Sequence, residues 1–239
     1  MPNSFFQFKQ FRVNQVRSGM KVTTDGCLFG AYVANSLEQA ADEPNYMLDI
    51  GTGTGLLALI LAQVTNRSSI EAIDMSENAH SEAGENFNAS HWKDRLFSSH
   101  QSLQKFNPSR LYDLIICNPP FFGKSQKGTT EQKNQAIHND HLSMEELSSG
   151  IDRLLTNEGV AWIMYPEWEM KAFIKWMEKS QILPCSTVLV RNKAEAPVFR
   201  MIVKFSRSTS DEIQRELLIR EGNGSYSQEF LNLVENYYL

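Results

Sequence analysis

The stretch YMLDIGTGTGLLALILAQV, residues 46–64, restricts the fold more than any other part of the chain. A short apolar run without alternation reads as a strand buried on both faces. Glycines at alternate positions follow at once, and then residues with helical apolar spacing. Gly51, Gly53 and Gly55 stand between this strand and the helix. Such a turn can approach a small molecule at the carboxyl edge of a parallel sheet, where helix amides also point.

The same rhythm continues along the chain. Residues 68–74 read as a strand ending at Asp74, and residues 76–90 as a helix capped by Ser76. A strand over 111–118 precedes a helix over 143–159, with Ser143 and Glu146 at capping-box spacing. A strand over 160–165 and a helix over 167–181 complete the alternation. Residues 186–192 and 198–206 then read as a hairpin, 215–220 as a further short strand and 227–239 as a terminal helix. The expected fold is α/β, a doubly wound, seven-stranded, mostly parallel sheet with an antiparallel C-terminal edge hairpin, Rossmann-like, in one domain over 1–239. The polar stretch 123–140 exceeds an ordinary connection and reads as a functional loop.

Asp74, at the end of the second strand of this rhythm, is placed to accept hydrogen bonds from ribose hydroxyls. A nicotinamide dinucleotide would want glycine at the sixth position of its fingerprint, where this chain has Leu56. Asp49, just ahead of the glycines, would repel a diphosphate and suit a ligand with an ammonium or sulfonium centre.

A second motif, CNPPFFGK from Cys117 to Lys124, follows an apolar strand. Asn118 carries an acceptor oxygen, and Pro120 restricts rotation of the Pro119 carbonyl. Together they can receive the two hydrogens of a planar exocyclic amine, with Phe121 stacked on its ring and Phe122 packing or steering the base. Asn118, Pro119, Pro120 and Phe121 are therefore the candidate catalytic residues. The chemistry requires neither a metal nor a covalent enzyme intermediate.

The glycine loop, Asp74 and Asn118–Phe121 resemble the S-adenosylmethionine-dependent methyltransferases. The resemblance implies a class I methyltransferase fold and S-adenosyl-L-methionine as cofactor, held by Asp49, Gly51, Gly53, Gly55, Asp74 and Asn118. The acid often found near the cofactor adenine would fall at Ser102. That site is left to the Ser102 hydroxyl, the Leu103 amide and apolar contacts.

Charge helps with the substrate. The formal net charge is -5, yet residues 1–24 carry Lys9, Arg12, Arg17 and Lys21 with no acid. Residues 171–207 are also rich in base. The segments FQFKQFRVNQ, MKVTTDGCLFGAYV, NKAEAPVFRMIV and LLIREGNGSYSQEF are similar to the bacterial tRNA1(Val) (adenine-37-N6)-methyltransferase family over nearly the full chain. This implies transfer of a methyl group to N6 of adenine 37 in the anticodon stem-loop of a tRNA. Residues 1–40 would pack on the domain and contribute to the target site. Lys21, Thr24 and Asp25 would lie near its mouth, although Asp25 also suits a cap for a helix beginning near Gly26. Lys9, Arg191, Lys193, Arg200 and Arg220 are candidates for RNA contact, each equally readable as a solvated charge. An amino-group methyltransferase of rRNA, or an RNA-binding protein on an inactive scaffold, are the alternatives. Neither DNA, a membrane nor an obligate protein partner is expected. The N-terminus lacks the apolar run of a secretory signal, and cytoplasm is the expected location.

Overall fold

The computed structural model describes residues 3–120, 142–208 and 212–238. A small hairpin, β1 (Phe5–Gln7) and β2 (Arg12–Asn14), precedes α1 (Thr24–Glu38). The central alternation is β3 (Tyr46–Ile50), α2 (Leu56–Val64), β4 (Ser69–Asp74), α3 (Glu77–Asn88), β5 (Leu96–His100) and β6 (Tyr112–Cys117). The rest comprises α4 (Met144–Leu154), β7 (Leu155–Tyr165), α5 (Glu167–Lys179), β8 (Leu183–Arg191), β9 (Val198–Ser206), β10 (Ile213–Leu218) and α6 (Gln228–Val234).

The main sheet has eight strands in the order β10-β8-β9-β7-β6-β3-β4-β5. β9 pairs antiparallel with β7 and β8, and every other pair in this sheet is parallel. The Rossmann-like, class I methyltransferase architecture is thus present, with two differences from expectation. β5 adds a strand, because LFSSH is too short and polar to declare itself but pairs with Ile70 through Asp74 of β4. The β8–β9 hairpin is not the edge: β10 pairs parallel to β8 and covers it.

Why apolar runs without alternation were the right signal is visible in β3 and β6. Met47, Leu114 and Ile116 enter the core under α1, α2, α3 and α6, whereas Leu48, Ile50, Ile115 and Cys117 enter the opposite core under α4 and α5. Successive side chains point to opposite faces, so a strand covered on both sides must be apolar at every position. α1 crosses α2 closely at Gly30, where a Cβ would lie 2.7 Å from Ile60 Cδ1. Cys27 and Cys117 are buried and Cys185 is half-buried, all as free thiols. Burial pushes the Cys27 thiol up to about 11.

The N-terminal segment joins this body through Phe8, Phe11 and Val13, all in the α1–α2 core. Full burial of such side chains stabilises by about 2 kcal/mol each. Three further boundaries differ from expectation. α1 begins at Thr24 with Thr23 as its N-cap, accepting from the Gly26 amide at 3.2 Å, and Asp25 Oδ1 accepts from the same amide at 3.2 Å from within the first turn. α4 stops at Leu154 and β7 starts at once, with the irregular pairing between Tyr112 and Leu114 absorbing residues 156–159. The terminal helix spans only Gln228–Val234. Among the described residues, no helix is long and apolar enough to cross a membrane.

Candidate active site

Strand register assembles the site. Ile50 pairs with both Ile73 and Cys117, and Asp74 pairs with His100. The glycine turn after β3, the carboxylate ending β4, the turn after β5 and Asn118 after β6 therefore meet at one sheet edge. The chain leaves β3 toward β4 and β5 and then returns to β6 on the other side, so this edge is the topological switch point, the usual place for a ligand in such a sheet. A cavity of about 690 Å³ opens there. It extends from Gly26, Asn118, Pro119 and Pro120, over the glycine turn, to Asp74, Ser102 and Glu146.

The turn is built for a ligand. Gly51, Gly53 and Gly55 have φ of 70°, 57° and 83°. A Cβ on Gly51 would meet no protein atom within 4 Å, whereas one on Gly55 would lie 2.5 Å from Phe87 Cε1. Gly51 thus leaves room above the turn, and Gly55 lets α2 approach α3. Asp74 braces the turn, with Oδ2 accepting from the Gly53 amide at 2.9 Å and Oδ1 from the Ser76 amide at 2.9 Å.

Asp49 lies beneath the turn at 0% exposure and outside the cavity lining. Its Oδ2 accepts the Thr52 hydroxyl at 2.6 Å, and its Oδ1 is buried with no hydrogen-bond partner. Burial pushes its carboxyl up to about 7, opposed by the hydrogen bond from Thr52 and assisted by the charge of Asp74. Asn118 Oδ1 is also buried without a partner. An acceptor left unpaired inside a protein costs about 1–3 kcal/mol, which suits an atom aimed at a donor that the ligand brings.

The other expected residues divide. Lys21 lines the cavity, while Thr24 is exposed and does not. Asp25 is ion-paired with Arg200, whose guanidinium also lies 4.0 Å from the ring centroid of the exposed Phe199. Ser102 and Leu103 line the cavity, and the Leu103 carbonyl accepts from Arg153 at 2.9 Å. Three basic residues are engaged within the protein. Lys9 donates to the Glu235 carbonyl, Arg191 to Glu216 and the Ala196 carbonyl, and Arg220 to the Gly224 carbonyl beside the Tyr226 ring. Lys193 is exposed in the turn between β8 and β9. Phe121 and Phe122 lie outside the described residues. Among the described residues, no three His, Cys, Asp or Glu side chains cluster as metal ligands.

Sequence reasoning missed the residues that hold the N-terminal segment over the cavity. Glu82 accepts from the amides of Val16, Arg17 and Ser18 at 2.6, 2.9 and 2.8 Å. Asn86 bridges the Asn14 backbone to the Thr54 carbonyl. The available signal was an acid and an amide four apart on the helix face that also carries Ala79, Ala83 and Phe87.

A ligand edge of this kind, with an acid ending β4 and an Asn-Pro-Pro turn ending β6, defines a class I S-adenosylmethionine-dependent methyltransferase. Solved structures agree on the fold. A predicted O-methyltransferase from Agrobacterium tumefaciens superposes with TM-score 0.68 at 13% identity, covering 88% of this chain and 95% of that one. Ribosomal protein L11 methylase from Lactobacillus delbrueckii subsp. bulgaricus gives 0.52 at 17%, covering 75% and 77%. The family model for a methyltransferase small domain matches residues 31–148. A relative from Christiangramia forsetii is 37% identical over 243 residues, covering 100% of this chain and 99% of its own length. One from Flavobacterium psychrophilum is 36% identical over 236 residues, covering 98% and 99%. Both bear the name tRNA1(Val) (adenine(37)-N6)-methyltransferase. The chain belongs to that family.

Proposed function

We propose that this protein transfers a methyl group from S-adenosylmethionine to the exocyclic N6 of adenine 37 in the anticodon stem-loop of tRNA1(Val). The observation that carries the reading is the buried, unpartnered Oδ1 of Asn118, fixed beside the glycine turn by the pairing of Ile50 with Cys117. The relatives' names supply the particular adenine, and the cavity is large enough for a nucleoside cofactor.

When bound, the cofactor supplies an electrophilic methyl on a sulfonium, whose charge is lost as that methyl leaves. Asn118 Oδ1 and the Pro119 carbonyl accept the two N6 hydrogens of the target. As the nitrogen forms its new bond it becomes tetrahedral and more positive, so both acceptors bind the transition state more strongly than the free base. One N6 proton then leaves to water. The prolines hold these acceptors in place, which avoids reorganisation at the moment of reaction. Phe121 is assigned to stacking on the adenine ring and Phe122 to steering it.

The whole chain, 1–239, acts in this reading as one methyltransferase domain. Residues 1–40 contribute to the target site: Ser18–Thr23 wall the cavity, and Gly26 opens α1 against the Asn118 side chain. Lys21 and Lys193 are exposed and are assigned to phosphate contact. Lys9, Arg191, Arg200 and Arg220 shape that surface through the internal contacts described above. A tRNA substrate places this work in the cytoplasm.

The test is incubation of the purified protein with methyl-labelled cofactor and unmodified tRNA, followed by mapping of the product nucleoside. Label in N6-methyladenine at position 37 is expected. Label in rRNA alone, or in no RNA despite normal cofactor binding, would overturn the assignment.

A further inference from the structure

We infer that Glu146 selects the cofactor by its base, accepting a hydrogen from the 6-amino group of the adenine. The inference rests on S-adenosylmethionine being the cofactor of this cavity. It concerns a residue far in sequence from the turn where an adenine-reading acid was expected.

Adenine offers a donor at position 6, whereas hypoxanthine offers a carbonyl acceptor there. A site that distinguishes them needs an acceptor aimed at that position. The turn after β5 supplies Gln101, Ser102, Leu103 and Gln104, and no acid. Among the described residues, two acids line the cavity, Asp74 and Glu146. Asp74 accepts from the amides of Gly53 and Ser76 and stands at the glycine turn, where the ribose is expected.

Glu146 comes from the first turn of α4, which packs against this same turn: a Cβ on Gly150 would lie 2.5 Å from Leu103 Cδ2. Its Oε2 accepts from the Ser143 amide at 2.9 Å and the Ser143 hydroxyl at 2.7 Å, closing the capping box. A carboxylate offers about four acceptor positions. The capping box occupies Oε2, and Glu146 lines the cavity beside Gln104, so acceptor capacity beyond the cap faces this end of the site. Gln104, with the Ser143 donors, holds the carboxyl below its ordinary range, so the acceptor is ionised at neutral pH.

The same geometry dictates the decisive variant. In Glu146→Gln the two Ser143 donors still demand an oxygen, so the new amide keeps its oxygen there and puts its NH₂ where the second carboxylate oxygen stood, with the Gln104 amide turning its own oxygen to it. The capping box survives, since glutamine serves in it as well as glutamate. A donor then stands where the acceptor stood.

Calorimetric titration with S-adenosylhomocysteine and with its 6-oxo analogue, S-inosylhomocysteine, reads this directly. The natural protein is expected to prefer the adenine form by about 100-fold, and Glu146→Gln to lose that preference or reverse it. Ser143→Ala, which removes the cap hydroxyl and keeps the carboxylate, is expected to lower thermal stability and preserve the preference. A preference unchanged in a folded Glu146→Gln would overturn the inference, as would an equal loss in Ser143→Ala. Binding of neither nucleoside by the natural protein would overturn the cofactor assignment itself, a result distinguishable from these two.

Discussion

Arg200 Nε and Nη2 each lie 2.9 Å from the same oxygen of Asp25, although the two residues are 175 positions apart. The pair fastens the start of β9 to the first turn of α1, with side chains only 15% and 14% exposed. One residue further, Gly26 faces the Asn118 amide across the cavity wall. Removal of Asp25 takes away the carboxylate oxygen that both guanidinium nitrogens share. Asp25→Ala is expected to destabilise by about 3 kcal/mol, and a double-mutant cycle with Arg200→Ala to show coupling above about 1 kcal/mol. Denaturant titration of the four proteins measures both, and additive losses would refute the coupling.

Asn118→Ala should separate chemistry from binding. Loss of an acceptor used mainly in the transition state is expected to lower kcat by about 100- to 1,000-fold while leaving affinity for S-adenosylhomocysteine within a few-fold. Single-turnover methylation and calorimetry supply the two values. Equal loss of both would remove the proposed role.

Asp49 gives the site a pH dependence whose sign is fixed. Its carboxyl is raised from an ordinary 3.8 to about 7. The folded protein therefore keeps a proton that the unfolded chain has lost. This contribution to stability is complete below the unfolded value, falls as pH rises toward about 7, and is constant above. A cationic ligand above the turn favours the ionised form, so cofactor binding below pH 7 expels this proton. Affinity for S-adenosylmethionine is expected to rise with pH, by up to about tenfold per unit, and level off above about 7. Asp49→Asn should flatten that profile, as titration from pH 5.5 to about 8.5 would show.

Glu82→Ala should loosen the wall of the cavity contributed by Ser18–Thr23. Three backbone amides lose their acceptor, at about 1–3 kcal/mol for those that stay buried. Faster tryptic cleavage after Arg17 or Lys21 and weaker cofactor binding are expected together. Unchanged cleavage would show that the hairpin core alone holds the segment.

Gly55→Ala should cost about 2–4 kcal/mol, combining a positive φ that alanine resists with contact against Phe87. Gly51→Ala has the strain without the contact, so its stability loss should be the smaller and its effect on cofactor binding the larger. Thermal unfolding and calorimetry of the two variants check the order.

The glycine turn, Asp74 and Asn118 were legible in the sequence because each is a local requirement: positive φ, a strand-end carboxylate, a proline-locked turn. Unbroken apolar runs revealed the parallel sheet, since a strand covered on both faces cannot alternate. Glu82, Asn86 and the Asp25–Arg200 pair were not legible, because a polar residue on a helix becomes a brace only when a distant segment brings unpaired groups to it. β5 and the edge position of β10 were hidden for the same reason: their pairing is decided by neighbours, not by their own composition. Local chemistry thus determined where a small molecule and a planar amine would meet. Only the packing of α4 against the turn after β5 decided that Glu146 would stand at that cavity, because no spacing rule connects a helix cap to a loop more than forty residues earlier.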